Sequence, residues 1–342
     1  MRQRSLIPLA CATVVLVVLA IVTLTARDRG VSRAAPNVRA FPALAGKLDD
    51  VASVTVERQG STMTFIRDGD SWLVSEKGNY PANAGKISQI VRAMADLTLV
   101  EPKTQKPEFY PRLELEDAGK GKSALVTVKD KPGAAIGEAI VGKRRYDRLG
   151  GGNDGVYMRK PGDAQAWLAR GSLDLSGDPP SWFDRRILDI SEQKIAKVIL
   201  VKADGAKLVI SRPAPDAKFA IEDAPADVKF KGETAISGPA GALETLDLED
   251  VKPAAEFPVP DKDVARASFT TFDGLNIDLR LLVRAKTDWI AISATGSGAA
   301  EPEAKNLDDK IARWTYEIPA YKANLLKTKL ADIIGEPAKE SK

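Results

Sequence analysis

The chain has 342 residues, a net charge of +3, no histidine and one cysteine, Cys11. Those counts exclude a Ser-His-Asp arrangement, a histidine-bearing zinc site and any cysteine nucleophile beyond residue 11. The near balance of charge gives no basis for a nucleic-acid surface, while 28% charged residues fit a folded, water-facing protein.

From Leu6 to Ala26 the sequence is almost wholly apolar, with Arg2 and Arg4 before it. About 20 apolar residues span a ~30 Å hydrocarbon core as a helix. A cleaved signal peptide has a shorter core and a small-residue exit, and Leu24-Thr25-Ala26 is a poor one. A lipid-modified cysteine is disfavoured because Pro8-Leu9-Ala10 places proline where an aliphatic residue belongs. An uncleaved transmembrane anchor over residues 1–26 fits best, and it makes the membrane a partner through residues 6–26. Arginines flank both ends, so the positive-inside count does not set orientation. The short basic N-terminus favours export of the globular part. Residues 27–45, rich in Arg, Ala and Pro, read as a tether.

The remainder reads as two α+β units, 46–190 and 191–335, closed by a polar tail, 336–342. Val54, Val56, Met63 and Phe65 alternate with polar neighbours as half-buried antiparallel strands do. An aromatic third strand lies around Trp72. Asn83 then caps a helix whose Ile87, Ile90, Val91, Met94 and Leu97 share one face. Segments 124–128, 139–142 and 156–159 read as strands, and 163–170 as a short helix. The run from Ile195 repeats this order, with a Gly turn at Gly205, a strand to Ser211 and an aromatic strand at Phe219. Pro239 opens a looser helix, with Leu243 and Leu246 facing inward. Strands come next at 267–272, 277–283 and 289–293, then one carrying Trp314, Tyr316 and Ile318. A closing helix from Tyr321 has Leu326, Leu330, Ile333 and Ile334 as its buried stripe. Each unit is expected to be an antiparallel sheet with helices on one face.

Chemical signatures are weak. Gly150-Gly151-Gly152-Asn153-Asp154-Gly155 matches the dinucleotide fingerprint in letters, but a strand comes after it where that motif needs a helix. Gly121-Lys122-Ser123 lacks the first glycine of a P-loop and also runs into a strand. The acidic runs at Glu114–Asp117, Asp247–Asp250 and Asp261–Asp263 lack calcium-loop spacing. Any two carboxylates can meet in space, but nothing marks a pair out for glycoside hydrolysis. No serine sits on a recognisable sharp turn with a lysine at helical spacing. Lys143, Arg144, Arg145 and Arg148 form a basic strand end suited to a lipid headgroup or an acidic glycan, against the plainer reading of a solvated face. Trp182, Phe183, Arg185 and Arg186, between the repeats, read as a packed junction or an interface platform, and Ser181 and Asp184 have capping-box spacing.

Ser71-Trp72-Leu73-Val74, Tyr80-Pro81-Ala82-Asn83 opening a helix, Trp182-Phe183-Asp184-Arg185-Arg186 before a strand, and Trp314 to Tyr321 together resemble the bacterial domain of unknown function 4340. The resemblance implies a single-anchor envelope protein, with its globular part on the periplasmic side of the inner membrane. It further implies membrane-transport partners of the ABC-transporter or gliding-motility auxiliary type. It supplies no catalytic residue and no cofactor. The expected role is therefore a non-enzymatic accessory or scaffold. A lipid- or glycan-binding module is the alternative, and an envelope hydrolase comes third.

Overall fold

The computed structural model describes residues 37–146, 154–175, 178–224 and 228–335. The apolar segment with Cys11, most of the tether, Arg148, residues 150–153 of the glycine-rich loop and the tail lie outside the described residues. Among the described residues no helix is long and apolar enough to cross a membrane. The protein is α+β and built mostly of antiparallel sheet.

Two compact units are present. The first holds the described residues up to 67 together with 87–175, and the second holds 68–86 together with those from 178 onward. The sequence places a single cut at 190/191. In the structure the short excursion 68–86 groups with the later part of the chain.

The strands of the first unit are β1 (Val38–Arg39), β2 (Val51–Arg58) and β3 (Ser61–Asp68) before the excursion. After it come β6 (Thr98–Thr104), β7 (Ala124–Asp130), β8 (Ala135–Arg145), β9 (Gly155–Arg159) and β10 (Ala166–Arg170). They lie in the order β1-β6-β10-β9-β8-β7-β2-β3. Val54, Val56 and Phe65 are buried on one face, as their alternation requires. The helix Ala84–Asp96 buries Ile87, Ile90, Val91 and Met94. A Cβ at Gly137 of β8 would crowd Leu44 Cδ2 at 3.1 Å and stand in ordinary contact, 3.5 Å, with Met94 Cε of the helix. Tyr110 and Leu115 pack with Ile140 and Ala166 in a separate cluster. Its rim is closed by Arg159, whose Nε donates to Leu115 O at 2.9 Å and whose guanidinium also pairs with Asp117.

The second unit begins with β4 (Ser71–Val74) and β5 (Tyr80–Pro81), which pair with each other. A two-stranded ribbon comes next, formed by β11 (Arg186–Leu188) and β15 (Leu246–Asp247). Its main sheet contains β12 (Ile195–Val201), β13 (Lys207–Ser211), β14 (Ala220–Ile221), β16 (Asp250–Pro253), β17 (Ala265–Thr271), β18 (Leu275–Arg284), β19 (Thr287–Gly296) and β20 (Trp314–Ile318). The order is β14-β13-β12-β17-β18-β19-β20-β16. Seven strands of the first sheet, β6-β10-β9-β8-β7-β2-β3, correspond one for one to β16-β20-β19-β18-β17-β12-β13 of the second.

Four local expectations differ from the structure. Residues 166–170 form β10, not a helix. The run Ala-Trp-Leu-Ala-Arg is paired on both sides, to β6 and β9, and ladder bonding overrides its helical propensity. The closing helix is broken into Ala320–Leu326 and Leu330–Ile333, and Lys327 N donates back to Ala323 O to end the first piece. Ser181 does not open a capping box. It lies inside the 3₁₀ turn Pro179–Trp182, and its hydroxyl donates to Asp178 O at 2.8 Å. Finally, a helix at Glu301–Ile311 has no counterpart in the sequence reading; its Ala304 and Ile311 are buried.

Candidate functional site

The basic strand end does not form one site. Successive residues of β8 point to opposite faces, so Arg144 is turned away from Lys143 and Arg145. Lys143 Nζ donates to Arg112 O at 2.9 Å. Arg144 pairs with Asp174 at 3.2 Å and donates to Ser172 Oγ at 3.0 Å, and it also lies over the Tyr146 ring. Two of the four cations are thus engaged in holding nearby chain, and Arg148 lies outside the described residues. Neither nucleotide-like motif has the needed geometry. Gly155 opens β9, and Ser123 directly precedes β7. Among the described residues no group of Asp, Glu or Cys side chains is arranged to hold a metal ion.

The second set of predicted residues does converge. Phe183, Arg185 and Arg186 line an open cleft of about 570 Å³ within the second unit, as do Asn83, Ser181 and Asp247, while Trp182 is buried beside it in the chain. Its construction joins segments about a hundred residues apart in the chain. Asn83 accepts from Lys86 N at 3.1 Å and so caps the first turn of the Ala84–Asp96 helix, as expected. Asn83 N donates to Trp182 O at 2.9 Å, and Asp184 N donates to Pro81 O at 3.0 Å. These bonds stitch 81–83 to 182–184.

Beneath the cleft lies an aromatic cluster. Phe183 is buried, and the Tyr80 ring meets it edge-on at 6.2 Å. Tyr80 also meets Trp314 at 5.1 Å and Tyr316 at 6.2 Å, both edge-on. The Tyr80 hydroxyl donates to Asp184 O at 3.0 Å. Burial, followed by the nearby Asp184 charge, pushes that phenol well above its ordinary range. Burial does the same to Tyr316. Both phenols stay protonated and serve packing.

On the rim, Arg186 Nε donates to Asp247 Oδ1 at 2.6 Å and its Nη1 meets Asp189 at 3.0 Å, so this arginine ties β11 to β15. Arg185 and Asp184 are exposed. Lys86 Nζ donates to Ser181 Oγ at 2.8 Å and stands 3.9 Å from the centroid of the Trp182 ring. Sequence reasoning missed this serine–lysine pair. The two residues are 95 positions apart, and no local spacing brings them together.

The pair has the elements of a nucleophile and base but the wrong polarity. A serine–lysine nucleophile requires a neutral lysine that accepts the hydroxyl proton. Here the ammonium donates to Ser181, while the Ser181 proton is committed to Asp178 O.

The family profile for the domain of unknown function DUF4340 matches residues 72–265. That span is more than half of the chain and includes every lining residue of the cleft. The chain belongs to the DUF4340 family. Of the segments on which the resemblance in the sequence rests, Trp72, Tyr80 and Trp182 to Arg186 fall inside the matched span and Trp314 to Tyr321 outside it; Tyr80, Trp182 and Phe183 are buried. No protein of curated function matches the sequence.

Proposed function

We propose that this DUF4340 protein is a non-enzymatic accessory or scaffold of an envelope transport assembly, of the ABC-transporter or gliding type. Residues 6–26 tether it to the bacterial inner membrane, and its globular part is periplasmic. It works by contact, through the cleft of the second unit. We also infer that the two units are copies of one ancestral fold. The one-for-one order of seven strands supports this.

One observation carries the contact reading over the hydrolase reading. The Ser181 hydroxyl donates to Asp178 O at 2.8 Å and not to Lys86, whose Nζ donates to it, which is the reverse of a serine nucleophile giving its proton to a lysine base. The cleft otherwise offers what partner recognition uses: buried aromatic anchors beneath exposed arginine and aspartate. A fluorophosphonate probe tests this. Ser181 is expected to stay unlabelled, and Ser181→Ala to leave the labelling pattern of the purified protein unchanged. Stoichiometric labelling lost on Ser181→Ala would replace the scaffold by a hydrolase. A periplasm-dependent reporter fused after Lys342 should be active, and activity of a cytoplasm-dependent one would reverse the orientation.

A further inference from the structure

The hairpin joining β18 and β19 stands proud of its sheet. Strand β17 begins to pair with β18 only at Ala265↔Leu281, so Leu282, Val283 and Arg284 run on beyond it. Arg284 pairs with Thr287, leaving Ala285 and Lys286 as a two-residue turn. Both turn residues have positive φ, 51° and 71°. That is the type I′ turn, which favours Asn-Gly, and a side chain at each position carries strain. Strain of this kind persists where another requirement keeps the residue.

The residues kept there are apolar and cationic. Val283 is 60% exposed. It sits in the pairing row Val283–Asp288–Ile318, and the chain leaves Ile318 through Pro319 to reach Tyr321, which is 62% exposed. Val283 and Ile318, three residues before Tyr321, thus lie at one end of the sheet. Arg284 and Lys286 stand beside them. Arg284 lies over the Phe257 ring at 4.8 Å, as Lys252 does at 4.5 Å, and an aromatic face leaves a cation's charge intact. Nearby carboxylates are largely offset. Asp288 is held by Lys327 at 2.9 Å, and Asp261 by Arg280. The remaining acids at this end are Glu317, on β20 beside the hairpin strand β19 and paired with Trp289, and Glu249 and Asp250 at the edge strand β16, where Asp250 is held by Lys77.

We propose that this end of the second unit, with Val283 and Tyr321 as shallow anchors and Arg284 and Lys286 as headgroup contacts, docks on the surface of an anionic phospholipid bilayer. A protruding turn of this size covers far less than the ~1,200 Å² of a stable protein interface, whereas one or two apolar side chains flanked by cations suit the headgroup boundary. The inference does not depend on the transmembrane tether, which would attach the chain to any bilayer whatever its charge.

The test uses the full chain. Cys11 is the only native cysteine, so Val283→Cys in a Cys11→Ser background accepts one environment-sensitive fluorophore. The labelled protein is reconstituted with phosphatidylglycerol-containing vesicles and with pure phosphatidylcholine vesicles. A blue shift with phosphatidylglycerol only, reversed by salt and by Arg284→Glu with Lys286→Glu, is the expected result. The charge swap should weaken vesicle docking by at least about tenfold. Salt reversal reads the same contact without any substitution at the cations, so the test stands even if the double variant folds poorly. A water-like spectrum on both vesicles, or an equal shift on both that ignores salt, would overturn the proposal.

Discussion

Tyr80 shows how much one side chain organises. Its ring meets Phe183, Trp314 and Tyr316, and its hydroxyl supports the Asp184 carbonyl at the cleft rim. Tyr80→Phe removes only the hydrogen bond and should cost about 1 kcal/mol. Tyr80→Ala opens a cavity between three rings and should cost about 3–5 kcal/mol. Denaturant midpoints of the two variants give the ratio directly, and equal losses would mean that the ring contacts contribute nothing. Sequence alone marks Tyr80 as a helix-flanking aromatic. Its three ring partners are legible only once β20 and the 3₁₀ turn are in place.

Glu317 gives a pH dependence at the same scale. Burial, and then the charges of Asp250 and Glu249, raise its carboxyl above the ordinary value of 4.5. A raised carboxyl binds more protons in the folded state than in the unfolded chain. Stability from this residue is therefore lost as pH rises from 4.5 through the folded value. Glu317→Gln should be more stable than the parent at neutral pH, and the difference should vanish below pH 4.5. Thermal melts across that range check it, and a gain that persists in acid would point to packing instead.

Among the elements, the strands with clean alternation were readable and β10, buried without a polar face, was not. Val54, Val56, Met63 and Phe65 reveal their strands because one face is polar. β10 pairs on both sides, and its Ala, Trp and Leu carry no period-two polarity to betray a strand. The helix Glu301–Ile311 was illegible for a related reason, since only Ala304 and Ile311 of its eleven residues are buried. Its position is fixed instead by Asp308, which accepts from Ala294 N of β19 at 2.8 Å. The β18–β19 turn offers an element-scale test. Replacing Ala285 and Lys286 by Asn and Gly relieves both positive-φ positions and should stabilise the protein by about 1 kcal/mol. The same change removes a cation and should weaken docking on phosphatidylglycerol vesicles. An unchanged or lower denaturation midpoint would show that the turn stores no strain.

For the molecule as a whole, the sequence reading recovered the α+β class and the family. Phe183, Arg185 and Arg186 line a cleft because Ser181 and Asp184 bond back to segment 81–86, a link of about a hundred residues that no local pattern encodes. The basic residues at 143–145 proved divergent for the opposite reason: strand geometry separates what is adjacent in sequence. The same long-range closure produces the Ser181–Lys86 pair, whose hydrogen-bond direction supports the proposal of contact over catalysis. The most direct test of that proposal is a photo-crosslinking residue at Arg185, introduced in cells and analysed after purification from membranes. The contact reading predicts a discrete adduct with a subunit of a membrane-transport assembly, unaltered by Ser181→Ala. Absence of any protein adduct, together with substrate turnover that Ser181→Ala abolishes, would contradict it.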